Sequence, residues 1–214
     1  MKVFSTNYTF NYSWEEVSTA NWRKYGSPWN DKTDHVIAVD TLSRQIDPET
    51  GIVGLSPPVL DWIPYLTFTY QLRTERLITC HQSAPAWVVT LLGGSTTSHI
   101  YETSYVSPTS KRVALCSTNL TWADLLTVRE TVVYQHDPSS STLGHERTKF
   151  EQNAKITALC GGLQKIKTKI EEASVERFKL NAQRGREGFE AVLEMSRRVW
   201  GEEKERERRE KMAQ

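Results

Sequence analysis

The sequence predicts an α+β fold, in which a curved antiparallel sheet of about seven strands grips one long C-terminal helix and a short helix lies as a lid over a cavity between them. Three observations lead there. Period-two stretches, separated by clusters of Pro, Gly, Ser and Asp, recur from the N-terminus to residue 159. From Leu163 the apolar spacing changes to three and four. Between two of the strand-like stretches lies a short greasy run, "SAPAWVVTLLGG", opened by Pro85 and closed by Gly93 and Gly94.

Each element has its own reason. Phe4, Thr6, Tyr8, Phe10 and Tyr12 fall on one face of an alternating segment, which reads as a half-buried strand. Ser13 and Glu16 then form a capping box, and Trp14, Val17 and Ala20 continue at helical spacing to about Tyr25. Residues 34–46, 74–80, 98–106, 112–121, 125–135 and 146–159 all have strand character. Their connectors are mostly short, which suits antiparallel neighbours. Leu163, Ile166, Ile170 and Ala173, then Phe178, Ala182, Gly185, Phe189, Val192 and Val199, mark one long amphipathic helix. Its end, "GEEKERERREKMAQ", mixes charges at helical spacing and reads as a solvated, fraying extension.

Composition narrows the function. With 214 residues and 38% hydrophobic content the chain can bury one good core and carry a tail. Lys+Arg 27 against Asp+Glu 26 leaves a formal charge of +1, which argues against a nucleic-acid protein that gains affinity from many phosphate contacts. Cys80, Cys116 and Cys160 are far apart, form no C-x-x-C pair and read as buried thiols. The N-terminus alternates and soon turns acidic, so it reads as part of the fold rather than as a signal or transit peptide. The sequons at Asn7, Asn11 and Asn119 then read as chance. No apolar run approaches the roughly 20 residues of a membrane span, so the chain is expected to touch a membrane without crossing it.

The reactive residues do not assemble into a catalytic or metal-binding pattern. His35, His81, His99, His136 and His145 show no H-x-x-x-H spacing, "LLGGST" lacks the lysine of a phosphate loop, and no G-x-S-x-G occurs. The expectation is a protein with no catalytic residues, no metal and no cofactor. Polar residues on otherwise apolar strand faces are more informative. Glu130 alternates with Val128 and Val132, Glu102 with Ile100, and Arg76 with Ile78 and Cys80. A buried charge needs a partner. Either these charges pair across the sheet, or they form a polar patch in a greasy cavity suited to an amphiphile with a charged head.

In order and content, "MKVFSTNYTFNYSWEEVSTANWRKYGSP", "HVIAVDTLSRQID", "TERLIT", "PAWVVTLLGG", "YETSYVSP", "STNLT" and "VRETVVYQ" resemble the PRELI domain family, especially its slowmo branch. The resemblance runs from Met1 to about Gly188, leaving 189–214 as a charged helical extension. It implies a phospholipid transfer protein of the mitochondrial intermembrane space, peripheral on the inner membrane, which carries lipid between the outer and inner membranes. Phosphatidylserine is the implied cargo, with phosphatidic acid, or a scaffold of the same fold that carries no lipid, as alternatives. A small twin-CX9C helical protein is the implied partner, beside transient contact with a membrane surface.

Family features carry over to particular residues. Ala84 to Gly94 match the lid, with Pro85, Trp87, Val88, Leu91 and Leu92 as its membrane-contacting residues. Lys24, Arg76, Lys149 and Lys169 match headgroup-side cations, while Glu102 and Glu130 would supply the polar wall of the cavity. The chain departs from the family in three places. "KYGSPWNDKTDHV" is a longer connector than usual, Ala173 stands where a tryptophan is usual, and residues 55–73 form an extra segment before "TERL". Its strand-like second half, "YLTFTYQL", either lengthens the strand through "TERL" or hangs as an apolar flap, a translated retained intron being the other reading.

Overall fold

The computed structural model describes residues 1–26, 35–47, 71–81, 97–139, 145–159 and 164–212. The elements run β1 (Lys2–Phe10), α1 (Trp14–Arg23), β2 (Val36–Asp47), β3 (Gln71–His81), β4 (Thr97–Ser107), β5 (Arg112–Asn119), β6 (Leu126–His136), β7 (Thr148–Ala158) and α2 (Gln164–Met212). Strands β2 to β7 form an antiparallel meander, and β1 pairs with β7 to complete a seven-stranded sheet in the order β1-β7-β6-β5-β4-β3-β2.

Local chemistry explains the boundaries. The Ser13 hydroxyl accepts from the Glu16 amide at 3.2 Å, and the Ser13 amide donates to the Glu16 carboxylate at 2.8 Å, so the capping box starts α1. In β1, Val3, Ser5 and Asn7 are exposed while Phe10 is buried, as the alternation requires. Strand β5 stops at Asn119 because the Asn119 side chain takes over the hydrogen bonding of the next turn. Its amide donates to the carbonyls of Thr121 (2.9 Å) and Leu126 (2.7 Å), and its oxygen accepts from the Val128 amide (2.7 Å). The side chain of that sequon is therefore occupied.

The core lies where α1 and the middle of α2 meet the sheet. Phe10, Trp14, Val17, Val113, Tyr134, Phe150, Phe189 and Leu193 are buried together. Phe10 meets Phe150 edge-on at 5.7 Å and Phe189 at 5.5 Å. At the rim, Arg197 of α2 bonds Glu16 of α1 at 2.8 Å, and Arg23 stacks over Trp200 at 5.4 Å.

Two expected boundaries move. No structural break occurs at residue 188: α2 runs through it, and Phe189, Val192, Leu193 and Ser196 are buried. The reason is continuous helical spacing, which keeps the same stripe on the core. The solvated extension begins only near Gly201, where surface pairs such as Arg209 with Glu205 (2.9 Å) follow. At the other boundary, Gln71, Leu72 and Arg73, the last residues of the extra segment, lengthen the strand through "TERL" and belong to β3. Gln71 pairs in register with Asp47 and is buried, and Leu72 packs on the core.

Candidate functional site

Beyond the aromatic cluster the inner face of the sheet and α2 part, leaving a cavity of about 440 Å³. Its floor is Phe10, Tyr134, Phe150 and Phe189. Ile78, Ile100, Leu126, Val128 and Ile156 from the sheet and Ile170, Ala173, Phe178 and Ala182 from α2 make the walls apolar. Strands β3, β4, β6 and β7 contribute alternate residues, since period two sends one set inward and the other to solvent.

A polar row crosses this wall. Arg76 of β3 is opposite Glu102 of β4, Glu102 is opposite Ser117 of β5, and Ser117 is opposite Glu130 of β6. Arg76 donates through Nε to Glu102 at 2.9 Å and also through Nη2, with the two residues only 3% and 5% exposed. Trp22 and Tyr25 cover the guanidinium face at 5.2 and 6.0 Å. Arg76 is thereby engaged by Glu102 in a structural pair, which repays its own desolvation only with such close geometry. Glu130 accepts from the Ser117 hydroxyl at 3.2 Å and from the Gln152 amide at 2.5 Å, and burial raises its carboxyl pKa above the ordinary value.

Lys24 completes the row from the other side. It caps the C-terminal end of α1, where the helix dipole favours a cation, and it lines the cavity. Burial lowers its ammonium to about 8, against the opposing pull of Glu102. The Lys24 ammonium also lies over the Tyr25 ring at 4.9 Å, which leaves a cation and two carboxylates on the same cavity wall. Cys80 also faces the cavity, but burial pushes its thiol up to about 11, so it is not a nucleophile at neutral pH.

The structure thus brings Lys24, Glu102 and Glu130 together on the cavity wall, with Arg76 behind Glu102. Two expected headgroup cations sit elsewhere. Lys149 alternates with the inward Phe150 and therefore points to the outer face, where it binds Asp137 at 3.1 Å. Lys169 is exposed on α2 beside Ile170, the residue that faces the cavity. Pro85, Trp87, Val88, Leu91 and Leu92 lie outside the described residues, as does Cys160. The sequence reading missed Ser117 and Gln152. Both were visible as polar residues in phase with apolar ones, Ser117 with Val113 and Leu115, and Gln152 with Phe150 and Ala154.

Among the described residues no group of three His, Cys, Asp or Glu could hold a metal ion, and no helix is long and apolar enough to cross a membrane. Residues 65–199 match the PRELI-like family. The chain is 40% identical over 200 residues to "Protein UPS2, mitochondrial" of Saccharomyces cerevisiae, covering 94% of this chain and 76% of that protein. It is 40% identical over 194 residues to the UPS-like protein C36.10 of Schizosaccharomyces pombe, covering 91% and 90%. To "Protein slowmo homolog" of Dictyostelium discoideum it is 31% identical over 194 residues, covering 90% and 72%.

Proposed function

The chain belongs to the PRELI-like family, and on that premise we propose that it is a non-enzymatic carrier that moves phospholipid between the mitochondrial outer and inner membranes through the intermembrane space, where it sits peripherally on the inner membrane. The observation that supports this most is the cavity, with apolar walls along most of its length and Lys24, Glu102 and Glu130 gathered in one polar row. Moving a two-chain lipid through water exposes tens of methylenes at about 0.8 kcal/mol each, more than ~20 kcal/mol in all. A carrier must supply a dry compartment of this kind, with charges only where the head lies.

The polar row favours phosphatidylserine as cargo. Lys24 suits a phosphate or carboxylate, whereas the neighbouring carboxylate of Glu130 suits an ammonium group. Phosphatidylserine carries all three groups, and phosphatidic acid lacks the ammonium. The small twin-CX9C partner implied by the family resemblance completes the proposal, as the protein that stabilises and retains the chain in that compartment.

The test is fluorescence transfer between vesicles with the partner present, in EDTA and without nucleotide. Transfer of phosphatidylserine in preference to phosphatidic acid is the expected outcome. If neither lipid moves, the carrier reading falls. If only phosphatidic acid moves, the cargo is reassigned.

A further inference from the structure

Leu120 and Leu125, 49% and 36% exposed, flank the turn between β5 and β6 at the cavity's edge, and Leu159, 51% exposed, sits beside them. The Leu159 amide donates to the Leu125 carbonyl at 2.8 Å, so the end of β7 and the turn form one surface. Between the leucines, Trp122 has a φ of 61°, a left-handed conformation unusual for a bulky residue. The turn holds it there: the Trp122 carbonyl accepts from the amides of Leu125 and Leu126 at 2.9 Å each, and the Asn119 side chain braces the turn on both sides. Backbone strain sustained by surrounding hydrogen bonds is a mark of functional segments. Trp122 and Leu125 also line the cavity, so the exposed apolar surface is continuous with its interior.

Behind this rim the outer face turns basic. Arg129 of β6 and Lys155 of β7 are register partners, four residues back from Leu125 and Leu159, or about 13 Å along the strands. They share an outer groove with Thr127, Thr157 and Leu159. Apolar side chains that enter a bilayer reach about 5–10 Å into the boundary between headgroups and acyl chains, which leaves cations at that distance level with lipid phosphates. Asp124, exposed at the tip of the turn, is an opposing charge.

We infer that the β5–β6 turn and the end of β7 form a membrane-docking rim, which seats the cavity edge on an anionic lipid surface with Leu120, Trp122, Leu125 and Leu159 inserted and Arg129 and Lys155 at the phosphates. The inference deepens the carrier reading, because it gives the cargo a dry route from bilayer to cavity.

Flotation with vesicles of phosphatidylcholine containing phosphatidylserine tests it. Leu120→Glu combined with Leu125→Glu is expected to lower vesicle affinity at least tenfold at unchanged melting temperature. Arg129→Glu combined with Lys155→Glu is expected to weaken binding to those vesicles and leave binding to pure phosphatidylcholine unchanged. Should the double leucine variant melt below the parent, Leu159→Glu alone provides the reading at an exposed site. Parent-like flotation of a folded leucine variant overturns the rim, as does a variant that floats normally but loses a protein partner. A parent that floats through this rim yet transfers no phospholipid removes the carrier reading and leaves the rim standing. Folded variants whose transfer and flotation both match the parent remove the rim and leave the carrier.

Discussion

The inner face of the sheet holds two regions built from the same strands to opposite ends. Toward one end of β6 and β7, Tyr134 and Phe150 are locked into the aromatic cluster with Phe10 and Phe189. A few residues further along the same two strands, Glu130 and Gln152 face a cavity that their neighbours do not fill. One region gains stability from close packing, and the other gives up that contribution to keep space and charge available. Strand geometry permits both, because alternation decides only that a residue points inward, not what it meets there.

The widest separation between the regions is expected in stability. Phe10→Ala in the cluster costs about 3–5 kcal/mol through lost burial and a residual void, measured by urea unfolding. A loss below about 1 kcal/mol would show that the cluster is no tighter than the cavity. Next comes the ion pair between the two regions: Arg76→Ala strands the buried Glu102 charge and costs about 3 kcal/mol. Replacing both partners by leucine is expected to restore most of it, and a double variant as unstable as the single one would assign the pair a larger role in the fold.

Cavity effects are smaller and appear in loading. Lys24 carries its charge below about 8, so affinity for an anionic phospholipid is full at neutral pH and falls as pH rises through that value, by about tenfold in all. Lys24→Arg, which stays charged, is expected to flatten the profile, as read by lipid extracted from the protein after incubation at each pH. Glu130→Gln is expected to change stability at neutral pH by less than about 1 kcal/mol, since the amide oxygen keeps the acceptor for Gln152 and the Ser117 hydroxyl, which can also accept, meets the new NH2. Because the folded-state carboxyl pKa is raised, the parent holds the associated stability below the ordinary carboxylate range and loses it as pH rises through the folded-state value. The Gln variant lacks that slope in unfolding measured at pH 4 and 7. Smallest of all is deletion of Ser56 to Pro64 from the connection between β2 and β3, which should shift stability by less than about 0.5 kcal/mol in a thermal melt. That deletion spares Gln71 to Arg73, which β3 requires.

Much of this architecture follows from local pattern. Ser13 and Glu16 announce the start of α1, alternation in β1 and β3 to β7 announces their faces, and the change of period near Leu163 announces α2, because each signal is carried by residues within a few positions of one another. The inward direction of Arg76, Glu102 and Glu130 was legible for the same reason. Tertiary structure alone decided what those charges do there. The register that sets Arg76 against Glu102, and Ser117 against Glu130, joins residues far apart in the chain, so two readings of the same alternation, mutual pairing or a polar cavity wall, stayed open until the strands were aligned. The structure holds both: Arg76 is consumed by Glu102, while Lys24, brought in by α1 from the N-terminal end of the chain, faces the cavity with Glu130. The outward face of Lys149 was legible in the same alternation, one residue before the inward Phe150. Local pattern, by contrast, carries no information about which side of a sheet a helix will cover, so the meeting of Lys24 from α1 and Phe178 from α2 on one cavity was decided by the fold alone.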